Sequence, residues 1–284
     1  MPTEDLSDFS PVDPVIGYSR IVESFSEGMF GVWRARIVSG TIRMIVAAYR
    51  RGEAEPDLGV LPAPADEIIR AVQEVSPKEF MGFVNVSDAS YFVYTTALFD
   101  SLLSESAKFL LLLHPEALGE DAKVPLGAVL VAKSRSEVIN SEVTKKVKNL
   151  GFQPIANRLE FFEKRFALDL QISPELLRKL QNFLNERNSL VHDLGAFVLA
   201  TAEDGSLLLK QRACVFHLAK PMADEIHKAA VVYMTVALNL YKAIMSSVLR
   251  ADSWVGFVPL CESLKIMINP PRSLPPEMRA RWGF

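Results

Sequence analysis

Apolar residues recur along most of this chain at spacings of three and four, the period of one helix face. From Ser19 to Arg51 the pattern predicts a helix broken by Gly28, Gly31 and Gly40. Residues 1–15, with Pro2, Pro11 and Pro14 among several acids, read as an irregular arm. A stretch rich in proline, glycine, alanine and acids, Gly52 to Pro64, reads as a linker. A short helix over Asp66 to Glu74 is expected to stop at Ser76-Pro77, because the residue before a proline is pushed out of the helical region.

The second half is more regular. Ser87-Asp88 is placed to cap a long helix running to His114, with Pro115 beyond its end. Its core face is Phe92, Leu98, Phe99, Leu102, Leu103, Phe109, Leu110 and Leu113. Leu126 to Val131 is an apolar run, and Ser136 to Leu150 is amphipathic, with Gly151 expected as a C′ residue. Ile155 to Phe166 forms another helix. Ser173-Pro174-Glu175 opens the next, with serine as N-cap, proline at N1 and an acid in the first turn. It should end at His192 or Leu194, before Gly195. Ala196 to Ala200 and Leu207 to Val215 flank Ala202-Glu-Asp-Gly-Ser206 and predict a small β-hairpin. A final helix, Lys220 to Leu249, is apolar nearly all round and belongs in the core or a subunit interface. The tail from Asn269, with Pro270, Pro271, Pro275 and Pro276, is expected to be extended. The expected fold class is all-α. Its parts are an N-terminal helical region and linker (1–65), a helical domain (66–250) and a Pro-rich tail (251–284).

Composition sets limits on this picture. With 49% hydrophobic and 23% charged residues over 284 positions, the chain has the makeup of a globular protein. A net charge of −3 argues against coating nucleic acid non-specifically, which needs many cationic contacts, but leaves room for a few phosphates in a cleft. The N-terminus lacks the basic and apolar regions of a signal peptide. The most apolar stretch, Ala229 to Met245, is interrupted by Asn239 and Lys242, so no membrane association is expected. Cys214 and Cys261 are the two cysteines; they make no zinc pattern, and reduced thiols in a cytoplasmic protein are expected. No cofactor is implied.

The chemistry concentrates on the helix from Pro174. At about 100° per residue, Leu176, Leu177, Leu180, Phe183, Leu184, Leu190, Val191 and Leu194 form one stripe. Arg187 falls in its middle, four residues after Phe183 and four before Val191. Asn188 and His192 stack four apart at its edge. A guanidinium on an apolar face is costly unless it is paired or faces a cleft. Beside an imidazole and an amide it forms a compact set: a fixed cation that stabilises charge on a transferring phosphoryl group, a ring that moves protons near neutrality, and an orienting group. These roles suffice for cleavage of RNA by its own 2′-hydroxyl.

Glu186-Arg-Asn-Ser-Leu-Val-His-Asp193 resembles the signature of the HEPN superfamily, in which Arg, a polar residue and then His lie late in a helix. The context resembles it too. A long helix with Asp100 and Glu105 comes first, then Ser134-Arg-Ser-Glu-Val-Ile139 and Arg158-Leu-Glu-Phe-Phe-Glu-Lys-Arg-Phe166, then the motif helix and a final helix. The resemblance covers residues 85 to 250. It implies an up-down helical bundle with a hairpin inserted after the motif helix. It implies a metal-independent endoribonuclease of toxin or antiviral-defence type, with Arg187 and His192 catalytic, Asn188 orienting, and two subunits pooling their motifs in one cleft. The implied partners are an RNA substrate, a second copy, and an antitoxin or other regulatory protein. Some members of the superfamily are instead non-catalytic dimerisation or binding modules.

Other features take plainer readings. Arg212-Ala-Cys-Val-Phe-His217 repeats the spacing in a strand-like run and is taken as accidental. His114 suits a helix C-terminus, and His217 and His227 have no partner at ligand spacing. Arg36, Arg43 and Arg50, with Arg34 and Arg51 nearby, and the cluster Lys145, Lys146 and Lys148 are expected to be solvated faces. Phe161, Phe162 and Phe166 are expected in the core. If Arg187 and His192 are structural instead, Asp100 or Glu105 is their expected partner.

Overall fold

The computed structural model describes residues 12–50, 77–119, 124, 126–193, 197–201, 207–211 and 222–250. The expected helix at Asp66–Glu74, the linker, the turn at Ala202–Ser206, both cysteines, the Arg212–His217 pair and the tail lie outside them.

The described residues are all-α in character. Helix α1 is Pro14–Arg50, α2 Pro77–Leu113, α3 Leu126–Val131, α4 Arg135–Gly151, α5 Ile155–Phe166, α6 Pro174–Asp193 and α7 Met222–Ala243. A 3-10 turn at Pro115–Leu118 follows α2, and a π-turn at Ile244–Val248 follows α7. Between α6 and α7, Phe197–Thr201 (β1) and Leu207–Gln211 (β2) lie antiparallel, with Phe197 opposite Gln211 and Thr201 opposite Leu207. The chain divides into two compact units, each drawn from several stretches. The first takes the described residues within 1–27, 98–179 and 232–268, and the second those within 28–97, 180–231 and 269–284.

Helix α1 corrects two expectations. It begins at Pro14, not Ser19, because Asp13 caps it: its Oδ1 accepts from the amides of Val15 at 2.8 Å and Ile16 at 3.4 Å. It also runs unbroken through Gly28, Gly31 and Gly40. A glycine costs a helix only about 1 kcal/mol, less than the burial of Tyr18, Val22, Phe25, Met29 and Val32 along one face returns. Helix α2 corrects a third. It opens at Pro77, and Ser87-Asp88, expected as its cap, lies inside it with Asp88 buried. Proline lacks the N–H that the first turn of a helix leaves unused, so it suits the first position of α2.

The shorter helices follow their local signals closely. Ser134 caps α4 by accepting from Glu137 N at 3.2 Å, and Glu137 Oε2 accepts from Lys133 N at 2.7 Å. Gly151 does not take the expected C′ role: it is the last helical residue, and Phe152 caps with right-handed dihedrals. Helix α5 has the expected bounds and closes on Ala167 in the left-handed region, φ 52°. Ser173 Oγ accepts from Leu176 N at 3.2 Å and starts α6 as expected.

The core of the first unit is rich in rings. Phe99 stacks on Tyr233 with centroids 4.5 Å apart, and Tyr18 lies between Phe109 and Tyr241. The Tyr18 hydroxyl is 3.2 Å from Ser106 Oγ, and burial pushes its phenol far above the usual range. Most of the apolar stretch Glu225–Val248 is buried inside the chain, so its hydropathy reads as that of a core helix. In the second unit Phe92 of α2 meets Phe183 of α6 edge-on at 6.2 Å, and Phe30 stacks on Trp33 with Arg34 over the Phe30 ring.

Candidate functional site

Helix α6 carries all three residues singled out by the sequence. Its first turn is secured by the Ser173 cap, by Pro174, and by Glu175, which pairs with Lys179 at 2.8 Å. The Lys179 hydrogen bond and charge hold the Glu175 carboxyl below its ordinary range. Farther along, Leu180, Phe183 and Leu190 are buried and seat the helix in the second unit. Val191, expected in the same stripe, is instead 43% exposed. The stripe is therefore narrower than the pattern suggests, and Arg187 lies at its margin.

Arg187 is half-buried, one turn beyond Phe183. Its Nε is shut off from solvent, while Nη1 donates to Asn188 Oδ1 at 2.9 Å. Asn188 itself is exposed. The guanidinium is thus buried along its Nε edge, while its Nη1 meets an exposed amide. A guanidinium is in general a forked donor suited to two oxygens of a phosphate. The backbone of His192 continues the same helix, four residues after Asn188, and its side chain is outside the described set. The structure brings Arg187 and Asn188 into contact.

Other residues with candidate chemistry are accounted for locally. Asp100 accepts from Arg158, with Nη1 at 2.6 Å from Oδ1 and Nη2 at 3.4 Å from the backbone oxygen. Arg158 is only 5% exposed and lies on the apolar face of α5 beside Ile155, Leu159 and Phe162. Its segment entered the sequence reading only as flanking context, although Arg158 bears the same sign as Arg187: an arginine at helical spacing within an apolar stripe. Glu105 is exposed. His114 Nδ1 is 3.0 Å from Glu116 Oε1 just past α2. Lys145 pairs with Glu142, and Phe161 meets Phe162 and Phe166 edge-on. Among the described residues no three His, Cys, Asp or Glu side chains gather as metal ligands. In comparisons with known proteins, no family model, curated protein or solved structure matches the chain.

Proposed function

We propose that the protein is a metal-independent endoribonuclease with a HEPN-like domain, its hairpin inserted after the motif helix, acting as a cytoplasmic homodimer of toxin or defence type under an antitoxin or other regulator. The observation that carries the reading is the Arg187 guanidinium at the edge of an apolar helix face, its Nε buried and its Nη1 donating to Asn188. In this mechanism His192 takes the proton of a ribose 2′-hydroxyl. The oxygen attacks the adjacent phosphorus, and the bond to the 5′-oxygen breaks. That oxygen leaves with a proton returned by an imidazole, from His192 or its counterpart on the second copy. Arg187 stabilises the extra negative charge on the phosphoryl oxygens as the bond forms. The products are a 2′,3′-cyclic phosphate and a 5′-hydroxyl end.

The test is product chemistry. Protein incubated with mixed RNAs in EDTA should yield cyclic-phosphate ends, and His192→Ala should lower the rate by roughly 10²–10⁴, the usual contribution of a general acid–base. Equal cleavage by His192→Ala and wild type would remove this site from the mechanism.

A second reading, a non-catalytic HEPN-like dimerisation or partner- or RNA-binding module, is favoured by the end of α3, where Leu130 is 76% and Val131 83% exposed. An inert protein that still dimerises and retains RNA would support it.

A further inference from the structure

The connection between α5 and α6 and the end of α7 line an open pocket of about 210 Å³ in the first unit, sharing no residue with the Arg187 site. Its polar lining is Asp169, Gln171, Asn239, Lys242, Ser246 and Ser247.

Two departures from regular backbone meet at this pocket. Gln171 is left-handed at φ 50°, a conformation that costs a residue other than glycine about 1–2 kcal/mol. Asp169 Oδ1 accepts from Gln171 N at 3.1 Å and holds the kink. Opposite it, α7 widens into the π-turn, closed by Leu249 N donating to Ile244 O at 3.0 Å. Each residue of a π-turn rotates less about the axis than in an α-helix, so Ser247 swings toward the line of Asn239 and Ala243. Asn239 Nδ2 donates to the Gln171 carbonyl at 3.5 Å and ties the two walls together. Left-handed residues and π-turns persist where their surroundings over-determine them, and they gather at ligand sites.

The lining also has a definite chemical sense. Asp169 supplies an exposed carboxylate and Lys242 a half-buried ammonium. Ser246 donates its proton to Lys242 O at 2.8 Å and so presents lone pairs. Opposite charges in one small space suit a ligand that is itself doubly charged. A volume near 210 Å³ falls below the roughly 300–1,000 Å³ of pockets for drug-sized ligands, too small for a nucleotide. We infer that this pocket binds a small zwitterion of the free amino-acid class, its ammonium on Asp169 and its carboxylate on Lys242 and Ser247.

Calorimetric titration of the full chain with each common L-amino acid, and with inorganic phosphate and ethylamine as single-charge probes, tests the assignment. At least one amino acid should bind with millimolar or tighter affinity. Asp169→Asn and Lys242→Met should each weaken it about tenfold, as loss of a charged hydrogen bond does. Because these variants could disturb the turn, the wild-type chain provides an independent reading: the amide resonances of Gln171 and Asn239 should shift on titration. No heat and no resonance shift with any amino acid at about 10 mM, a level at which millimolar binding would already stabilise the fold, would overturn the proposal. So would binding of phosphate alone, or binding untouched by both variants.

Discussion

Arg158 and Arg187 present the same pattern and reach different ends. Each interrupts the apolar stripe of a helix, Arg158 among Ile155, Leu159 and Phe162, and Arg187 one turn beyond Phe183. Arg158 is enclosed and meets a carboxylate, with its Nη1 on Asp100 at 2.6 Å and its Nη2 on the Asp100 carbonyl. Arg187 is half-buried, and its Nη1 donates to the neutral amide of Asn188 at 2.9 Å. A buried cation with an anionic partner is a structural tie whose loss strands a charge. A guanidinium that donates to a neutral amide has its direction set without that contact neutralising its charge. An arginine on an apolar face therefore marks a place where desolvation must be answered, and the answering group decides between scaffold and site.

The largest expected effect is on the scaffold side. Arg158→Met should lower unfolding free energy by about 3 kcal/mol, the low end for breaking a buried pair, because Asp100 retains 27% side-chain exposure and some access to water. Urea denaturation measures this, and adding Asp100→Asn should recover part of the loss. An unchanged midpoint in Arg158→Met would erase the contrast between the two arginines. Next, Arg187→Ala should cut RNA cleavage by roughly 10²–10³, the effect of removing one preorganised donor to a developing oxyanion, with the denaturation midpoint nearly unmoved. Asn188→Ala should cost cleavage about tenfold by releasing Arg187 Nη1 from the Asn188 amide. Single-turnover rates would show whether that loss is smaller than that of Arg187→Ala, as a positioning role requires.

Two smaller predictions concern the ends of helices α5 and α6. Ala167→Gly should stabilise the protein by about 1 kcal/mol, since glycine adopts the left-handed cap without a Cβ penalty; thermal melts read this directly. Glu175 has a folded pKa below its ordinary value. Its contribution is therefore complete above the ordinary glutamate range and fades as pH falls through the lowered value. In Lys179→Met the Glu175 titration, followed by NMR, should move back up toward the ordinary value.

Much of the helix order was legible because local chemistry agreed with packing. Ser173-Pro174-Glu175 started α6 where a cap, a proline and an acid coincide, and the period from Ile155 to Phe166 gave the bounds of α5. The long helices were harder. Asp13-Pro14 is the same kind of start signal, but the acidic, proline-rich arm around it masked it. Glycines in α1 were read by propensity, while the burial of Met29 and Val32 shows tertiary packing overriding it. At the site, Arg187 and Asn188 are in contact, but Arg187, expected in the middle of the stripe, lies at its margin, and Val191 was assigned to a face it does not share. Periodicity gives the direction of a side chain and not the width of the groove that receives it. The α5–α6 connection and the π-turn left no readable trace, because neither a left-handed glutamine nor a widened turn has a residue signature of its own.

The most direct measurement is to set Arg187→Ala and Arg158→Met side by side, following RNA cleavage in EDTA and the denaturation midpoint on the same preparations. The account predicts that Arg187→Ala loses cleavage while keeping its midpoint, and that Arg158→Met lowers the midpoint while its folded fraction still cleaves. An Arg187→Ala protein that cleaves like wild type, or that loses stability as Arg158→Met does, would contradict it.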